Sequence, residues 1–428
     1  MLNASIKTTP FWTDQFPRPH DLPTDTALPS EVDVAIVGSG YTGLNAARVL
    51  AKNNTKVAVL ERNHIGWGAS SRNGGMATPG IKQSVTKLLQ NYGQKVGTEL
   101  WQASLDAIDL IDEVVLEEGL DCDWVRNGHV GLAYKASHFE KMKKSVGWYK
   151  NTLNHTYTLV TPETLRTEIG TDTFYGGLAD DYSGGLQPAK YVFGLARAVA
   201  RHGAHLCENT DVTGITKEAN GFRLHTSQGP LQAKEVLIAT NGYTDRLVPK
   251  LKRQVFPVGS YIIVTEPLSE DLQQDVSPKG RMFYDSKNFL NYFRLTPDGR
   301  MLWGGRNDLS TDLDLLDSAQ RLHAQMTHVF PQLDDIPITH SWTGQLGITF
   351  DLMPHIGQME GIHYAFGYGG HGLSIATYIG TEMGLLLSGE KTRSPFLEIP
   401  QQTMFFYRNK PWFLPLAAQY FRVLDKVS

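Results

Sequence analysis

The sequence predicts an α/β protein: a Rossmann-like nucleotide-binding domain with a second domain built on a mostly antiparallel sheet. Three observations carry that reading. An apolar run, Val32 to Val37, leads through Gly38, Gly40 and Gly43 in a G-x-G-x-x-G pattern into a helical stretch, and a second apolar run, Lys56 to Leu60, ends on Glu61. Late in the chain a third apolar run, His363 to Phe366, meets a loop with Gly367, Gly369, Gly370 and Gly372 and then another helical stretch. Between them, Arg253 to Gly305 carries aromatic and apolar segments separated by turn residues, the pattern of antiparallel strands.

Each part of the first unit has a physical task. Gly38 permits the tight turn from strand to helix, Gly40 lets a pyrophosphate approach the backbone, and Gly43 lets helix and strand pack closely. Tyr41 and Thr42 open a helix expected from Tyr41 to Lys52, with Leu44, Ala47 and Leu50 inward. Free N–H groups at its positive end favour phosphate. Glu61 stands where a carboxylate accepts both hydroxyls of a ribose and disfavours a 2′-phosphate. The next run, HIGWGASSRNGGMATPG from His64 to Gly80, is small and polar, suited to lying flat against a large cofactor.

Composition narrows the class. A net charge of −4 over 428 residues, with 41% hydrophobic and 20% charged residues, describes an ordinary globular chain and gives no case for a nucleic-acid partner. Cys122 and Cys207 supply neither a disulfide framework nor a metal cluster, so no metal and a reducing, cytoplasmic setting are expected. Met1 to Asp14 lacks the apolar core of a signal peptide, and no stretch reaches about 18 uninterrupted apolar residues, so no transmembrane segment is expected.

In chain order, residues 1–30 are proline-rich and form an irregular arm, with Phe11, Trp12 and Phe16 expected to pack it onto the body rather than to cover a crevice. After Gly80 a long helical region is expected, with Leu105, Ile108, Ile111, Val115 and Leu116 at helical spacing and Gly119 as its stop. Val130 to Tyr134 reads as a strand, Ser137 to Tyr149 as a helix with Ser137 a cap, and Thr161 to Ile169 as a short helix opened by Pro162. A turn-rich segment, Tyr175 to Lys190, leads into a helix from Tyr191 to His202. Thr210 to Ile215, Phe222 to Thr226 and Ala233 to Thr240 read as strands, the last running into an Asn241–Gly242 turn. Ser260 to Leu268, the two ends of Phe283 to Arg294, and Arg300 to Gly305 supply strands of the second sheet. Thr311 to Val329 reads as a helix with Leu313, Leu316, Ala319 and Leu322 as its apolar positions, and Trp342 to Ile348 as a loop. The last helix is expected from Leu373 to Leu387, where Gly380 and Gly384 mark close packing. The tail from Pro395 to Ser428, with Phe405, Phe406, Tyr407, Trp412 and Phe413, is expected to pack; covering the site, a subunit contact and a membrane surface are the weaker alternatives.

The block Glu61, Gly68, Ala69, Ser70, Arg72, Asn73, Gly74 and Gly75, spaced E-x(6)-G-A-S-x-R-N-G-G, resembles the flavin domain of the FAD-dependent D-amino-acid oxidase superfamily. The branch is that of glycine oxidase and sarcosine oxidase, nearest the gamma-glutamylputrescine oxidoreductase group, and the resemblance covers nearly the whole chain. It implies FAD held by Gly38, Gly40, Tyr41, Thr42, Gly43, Glu61, Arg62 and the block just named, with Val212 on the strand from Thr210 and Ala239, Thr240 and Gly242 at the second nucleotide-side signature. Gly369, Gly370, His371, Gly372 and Leu373 complete the set at the C-terminal glycine loop. The implied layout is an arm (1–30), a discontinuous FAD-binding domain (31–90, 160–250 and 340–395), a substrate domain (91–159 and 251–339) and a C-terminal extension (396–428).

The resemblance also implies the reaction: oxidation of the C–N bond of a small-molecule amine to an imine that water hydrolyses to aldehyde plus amine or ammonia, with molecular oxygen commonly reoxidising the flavin. Substrate-side candidates are Tyr261, Tyr292 and His371, then Trp342 and Gln345. Two readings stand for Tyr292, lining the cavity or filling the core rim, and two for His371, tuning flavin or substrate or making a structural hydrogen bond. Arg294 and Arg306 are candidates for ion pairs with protein carboxylates, with a distal acid on the substrate as the second role. Two departures from the pattern matter. Leu346 falls where the amino-acid oxidases carry a carboxylate-binding arginine, and no arginine lies from Asp334 to Lys391. No cysteine follows Cys207, so FAD attached through a late cysteine, as in monomeric sarcosine oxidases, is not expected and the cofactor is noncovalent. The expected substrate is a polyamine derivative such as gamma-glutamylputrescine; a secondary-amine or amino-acid oxidase of the sarcosine and glycine type is the alternative. Oligomeric state stays open.

Overall fold

Strand Glu31–Val37 carries apolar side chains on both faces, and nearly all are buried. That is the condition for a parallel sheet covered on both sides. In the computed structural model, which describes residues 6–306, 309–405, 407 and 410–427, this strand pairs in parallel with Val57–Leu60 on one edge and Gly229–Ile238 on the other. His205–Cys207 extends the first edge in parallel. Ile362–Phe366 extends the second, and His355–Met359 turns back antiparallel beside it. The hairpin Val212–Glu218 and Gly221–Thr226 hangs from Gly229–Ile238.

Helices Tyr41–Lys52 and Gly372–Ser388 pack against one another in the same core. Two glycines set the approach. A Cβ on Gly380 would lie 2.5 Å from the Thr42 carbonyl oxygen, and one on Gly384 would lie 2.6 Å from the Val49 Cβ. The expectation of close packing there is met.

The second sheet runs Ile338–Thr349, Val255–Pro267, Arg300–Gly305, Asn291–Leu295, Met282–Asp285, His129–Leu132, Gly177–Asp180, Thr158–Val160. Every neighbouring pair is antiparallel except Met282–Asp285 with His129–Leu132. It has its own core, in which Phe293 stacks on Trp303 with centroids 4.3 Å apart, under helix Leu315–Val329.

Sheet pairing corrects several sequence expectations. Residues 158–180 and 338–349 give strands to the second sheet, so the boundaries drawn at 160 and 340 cut through it. Trp342 to Ile348 is strand rather than loop, paired along its length with Val255–Pro267. Its glycines suggested a loop, yet they mark close passage instead: a Cβ on Gly347 would sit 2.2 Å from the Asn241 Oδ1. Helix Val85–Glu118 is broken by a positive φ of 77° at Gly93 and ends on Gly119 at φ 63°. Leu105, Ile108 and Ile111 are buried in it, with Val114, but Leu116 faces solvent at 86% exposure. Helix Ala136–Leu153 starts beyond Lys135, so Ser137 lies inside it and caps nothing. Thr161 to Ile169 forms only the single turn Leu165–Thr167. Asp314 caps helix Leu315–Val329 through the Leu316 and Asp317 N–H groups, which turns Leu316 outward. In the tail, Tyr407 packs with Phe256 and Phe413, Phe405 and Trp412 are exposed, and an unanticipated helix, Leu414–Val427, follows; Phe406 lies outside the described residues.

The arm contains a short helix, Phe11–Gln15, with Phe11 and Trp12 buried and Phe16 half-buried. The Trp12 Nε1 donates to the Asn73 carbonyl at 2.7 Å. Beside it lies Arg294, only 5% exposed. Its Nη1 donates to the Gly75 carbonyl at 2.6 Å and its Nη2 to the Leu186 carbonyl at 3.0 Å, with the guanidinium 5.6 Å from the Trp12 ring centroid. Burial lowers its pKa to about 10, so it stays charged at neutral pH. Neither role anticipated for Arg294 holds: its partners are main-chain carbonyls, and it ties the second sheet to the nucleotide-side turn.

Two outcomes follow from this packing. Arg294→Met removes two charge-assisted hydrogen bonds, each worth about 1.5–3 kcal/mol, and deprives the Leu186 carbonyl of its donor while the Gly75 carbonyl keeps the Leu186 N–H; the loss is partly offset by no longer burying a charge. A net loss of about 2–3 kcal/mol is expected in chemical denaturation, with the rank order of oxidised amines unchanged. Gly380→Val forces the two helices apart and is expected to cost about 1–3 kcal/mol or more, read as a lower melting temperature and as flavin lost on gel filtration.

Candidate functional site

A cleft of about 430 Å³ runs between the two sheets, from Glu61 at one end to Tyr292, Gln345 and Arg306 at the other. At the first end Glu61 is fixed by three donors. Its Oε2 accepts from the Ser39 hydroxyl at 2.7 Å and the Ser39 N–H at 3.1 Å, and its Oε1 from the Asn63 N–H at 3.0 Å. Arg62 is held at the rim by Asp211, at 2.6 Å, and by Asp245. Helix Tyr41–Lys52 presents its N-terminus to the cleft with no side-chain cap on it, behind Gly38 at φ 110°. Helix Gly372–Ser388 does the same from the other side, again without a side-chain cap.

The floor between these helix ends is built of small residues. A Cβ on Gly40 would lie 3.0 Å from the Ser70 Oγ, and one on Gly68 3.3 Å from the Tyr243 ring. Asn73 braces the turn: its amide nitrogen donates to the Ala69 and Ser70 carbonyls, both at 3.1 Å, and its Oδ1 accepts from the Gly75 N–H at 2.9 Å. Arg72 donates to the Trp67 carbonyl at 2.8 Å and lies 4.9 Å from that indole, whose ring meets Tyr243 edge-on at 5.7 Å. An acid for a ribose, two exposed helix N-termini for phosphates, and a flat small-residue floor together fit an extended dinucleotide.

At the far end Tyr292 packs against Gly74 and Gly304, and its hydroxyl shares a 3.1 Å hydrogen bond with the Ser260 hydroxyl. Burial pushes its phenol up to about 12. Three cationic or potentially cationic side chains share this end. Arg306 holds the neighbouring Lys82 ammonium down to about 7, with burial adding to the effect. Burial first, then Lys82 and Arg306, push His371 down to about 3, so its imidazole is neutral. The His371 Nδ1 has no hydrogen-bond partner among the described residues.

Most residues anticipated from sequence line the cleft: Gly38, Gly40, Tyr41, Thr42, Glu61, Arg62, Gly68, Ala69, Ser70, Arg72, Asn73, Gly74, Val212, Ala239, Thr240, Gly369, Gly370, His371, Gly372 and Leu373, with Tyr292 and Gln345. Gly43, Gly75 and Gly242 do not; each is a backbone crossing. A Cβ on Gly43 would meet the Gly38 oxygen at 2.0 Å, on Gly75 the Leu186 oxygen at 2.3 Å, and on Gly242 the Gln345 oxygen at 3.0 Å. Tyr261 and Trp342 are also not brought to the cleft. The Tyr261 hydroxyl donates to the Ser310 carbonyl and accepts from the Leu313 N–H inside the second core, and the Trp342 Nε1 donates to the Arg72 carbonyl at 2.9 Å from beneath the turn. Strand alternation explains Tyr261, because its neighbours Ser260 and Ile262 face the cleft.

Sequence reasoning missed Lys82, Ser260, Trp67 and Tyr243 as lining residues. An aromatic inside each small-residue motif was the available signal for Trp67 and Tyr243. Nothing local marks Lys82, which meets Gly369 and Arg306 only in the folded chain: a Cβ on Gly369 would lie 2.7 Å from the Lys82 Cβ.

The family model for FAD dependent oxidoreductases, DAO, matches residues 33–384. The chain is 32% identical over 405 residues to the probable oxidoreductase OrdL of Haemophilus influenzae, covering 92% of each. It is 30% identical over 400 residues to gamma-glutamylputrescine oxidoreductase of Escherichia coli K12, covering 92% of this chain and 93% of that one. Its fold is similar to the crystal structure of glycine oxidase from Geobacillus kaustophilus, with a TM-score of 0.75 at 22% identity, over 87% of this chain and 100% of the other. The match to the model, the two long alignments and a cleft shaped for a dinucleotide agree: the chain belongs to the DAO family of FAD-dependent oxidoreductases.

Proposed function

We propose that the protein oxidises the C–N bond of an amine whose reacting carbon carries no carboxylate, such as gamma-glutamylputrescine. The observation that carries this reading is Leu346. It lines the cleft as an apolar side chain on strand Ile338–Thr349, where the resembled amino-acid oxidases place a carboxylate-gripping arginine. The relative named gamma-glutamylputrescine oxidoreductase supports it. The second reading, a sarcosine- or glycine-type oxidase, draws on the glycine oxidase likeness in fold and on Arg306, an arginine that reaches the cleft from just beyond strand Arg300–Gly305.

In this reading Glu61 holds the ribose of the adenosine half. The N-terminus of helix Tyr41–Lys52 faces the pyrophosphate, and the 66–74 turn with Gly369 to Gly372 encloses the ring system. FAD, when bound, accepts the hydride equivalent from the carbon beside the amine nitrogen. The chain orients that carbon and keeps water from it. Tyr292 and Ser260 offer hydroxyls to the amine or a neighbouring amide, and Tyr292, being un-ionised at neutral pH, serves as donor or acceptor. No protein nucleophile is assigned. No cysteine lies among the described residues that line the cleft, and Cys122 and Cys207 are free and buried, which supports noncovalent FAD and a reducing, cytoplasmic setting. Among the described residues no helix is long and apolar enough to cross a membrane. Molecular oxygen is the acceptor in this reading.

Anaerobic bleaching of the flavin absorbance tests the substrate class. Gamma-glutamylputrescine is expected to bleach the protein rapidly, and putrescine, sarcosine, glycine and D-alanine slowly or not at all; fast bleaching by the amino acids would overturn the argument from Leu346. Glu61→Ala is expected to weaken FAD retention by about 10-fold or more, the loss of roughly 1.5–3 kcal/mol of charge-assisted hydrogen bonding, measured as flavin content after desalting.

A further inference from the structure

Two half-buried leucines, Leu290 and Leu346, flank the substrate end of the cleft. Leu346 stands on strand Ile338–Thr349, and pairing with Val255–Pro267 fixes it. Leu290 lies on no strand. It ends the turn 286–290 between strands Met282–Asp285 and Asn291–Leu295. A turn outside the hydrogen-bonded ladder opens more readily than the strands it joins.

Two acids hold that turn. At its base Asp285, 2% exposed, accepts from the Lys287 N–H at 3.1 Å and the Asn291 N–H at 3.2 Å. At its tip the acceptor is Asp425, on helix Leu414–Val427. The Asp425 Oδ1 accepts from the Asn288 N–H and the Asn288 side-chain amide, both at 2.8 Å, and its Oδ2 accepts from the Phe289 N–H at 3.0 Å. One carboxylate thus takes three donors from the two residues immediately before Leu290. Leu414, Ala418, Arg422 and Asp425 recur at helical spacing and share a face. Leu414 and Ala418 are buried in a cluster that takes in Phe289 and Leu346, and the Arg422 guanidinium lies 5.7 Å from the Phe289 ring centroid. An acid in the last turn of a helix opposes the helix dipole, which favours cations there. Asp425 therefore does nothing for its own helix; its three bonds all serve the turn. The helix also lies beyond residues 33–384, where the family model matches, so this grip is added to the fold that the model describes.

We propose that Asp425 is a positioning residue for substrate selection: by clamping Asn288 and Phe289 it fixes Leu290, and so sets the width of the cleft where the carbon chain of the amine enters. This rests on the amine-oxidation reading and adds to it a determinant of amine shape that lies outside the cleft. The clamp acts through steric fit and moves no proton or charge at the reacting atoms.

Trypsin and flavin bleaching test it together, on the FAD-loaded protein. The Lys287–Asn288 bond is a trypsin site inside the clamped turn, cut when the turn opens. Asp425→Ala is expected to raise its cleavage rate at least about 10-fold, read from fragment masses, with the melting temperature within about 2 °C of the wild type. Asp425→Asn keeps an oxygen for Asn288 but turns an amide towards the Phe289 N–H, and should fall between the two. Anaerobic bleaching then compares gamma-glutamylputrescine with an analogue methylated on the butane chain. In the wild type the branched amine should need at least about 10-fold more ligand for half-maximal bleaching rate. In Asp425→Ala the half-saturating concentration of the unbranched amine should rise about 3–10-fold and the discrimination shrink to about threefold or less, with a smaller change in maximal rate. A merely structural loss would lower flavin content and maximal rate and leave the discrimination as it was. Where amines bleach the flavin, an unchanged discrimination or an unchanged half-saturating concentration in Asp425→Ala would overturn the proposal and leave the amine reading standing. If no amine bleaches it, the amine reading fails, and trypsin alone decides the clamp: faster cutting in Asp425→Ala upholds it, and an unchanged rate overturns it.

Discussion

The geometry of the cleft depends on one contact, the seam between helices Tyr41–Lys52 and Gly372–Ser388. Gly380 and Gly384 let the second helix press against Thr42 and Val49. Because the axes are held this close, the N-termini of two helices from opposite ends of the chain open onto the same cleft without side-chain caps. Each then offers the positive end of a dipole, although the Tyr41 N–H of the first is already held by the Ser70 Oγ at 3.0 Å. A bulkier pair of residues in that seam would still permit two helices, but would not aim both of them at one cofactor.

The second constraint is the joint between the sheets. The turn that floors the cleft is bound from below by the second sheet and by the arm: Trp342 reaches the Arg72 carbonyl, Trp12 the Asn73 carbonyl and Arg294 the Gly75 carbonyl. Three long side chains from distant parts of the chain thus satisfy three consecutive stretches of one turn. A turn of small residues exposes many backbone oxygens, and burying it demands such partners. The same joint presses Tyr292 against Gly74, which brings the substrate sheet into contact with the cofactor floor.

The legible part of the molecule was the part written in contiguous residues. The strand, glycine triad, helix and acid from Glu31 to Glu61 are a local code, and their positions came out within a residue or two. Periodicity also located the long helix, although Leu116 shows its limit: spacing assigns a face, while the neighbour that would cover it is decided by tertiary packing. Illegible features were those set by partners far along the chain. Trp342 to Ile348 looked like a loop because glycine breaks local patterns, yet its backbone is a strand whose glycines admit Asn241 and Arg72. Tyr261 and Ser260 differ by one position, and only strand register tells which faces the cleft. Lys82 acquires its importance from Arg306 and Gly369, neither of them near it in sequence.

Charge gives the cleft a direction. The nucleotide end holds Glu61, Asp211 and Asp245, the last two matched to Arg62, and the substrate end holds Arg306 and Lys82 with no acid among the described residues. Such polarity also bears on which amines enter productively. A molecule with positive charge at both ends meets repulsion wherever its second ammonium lies near Arg306, whereas one with a positive and a negative end is oriented by the field before any hydrogen bond forms. Leu346, on strand Ile338–Thr349, adds an apolar side chain to the wall of the same cleft. Orientation would come from where charge is provided and where it is withheld, with the hydroxyls of Tyr292 and Ser260 left to finish the alignment.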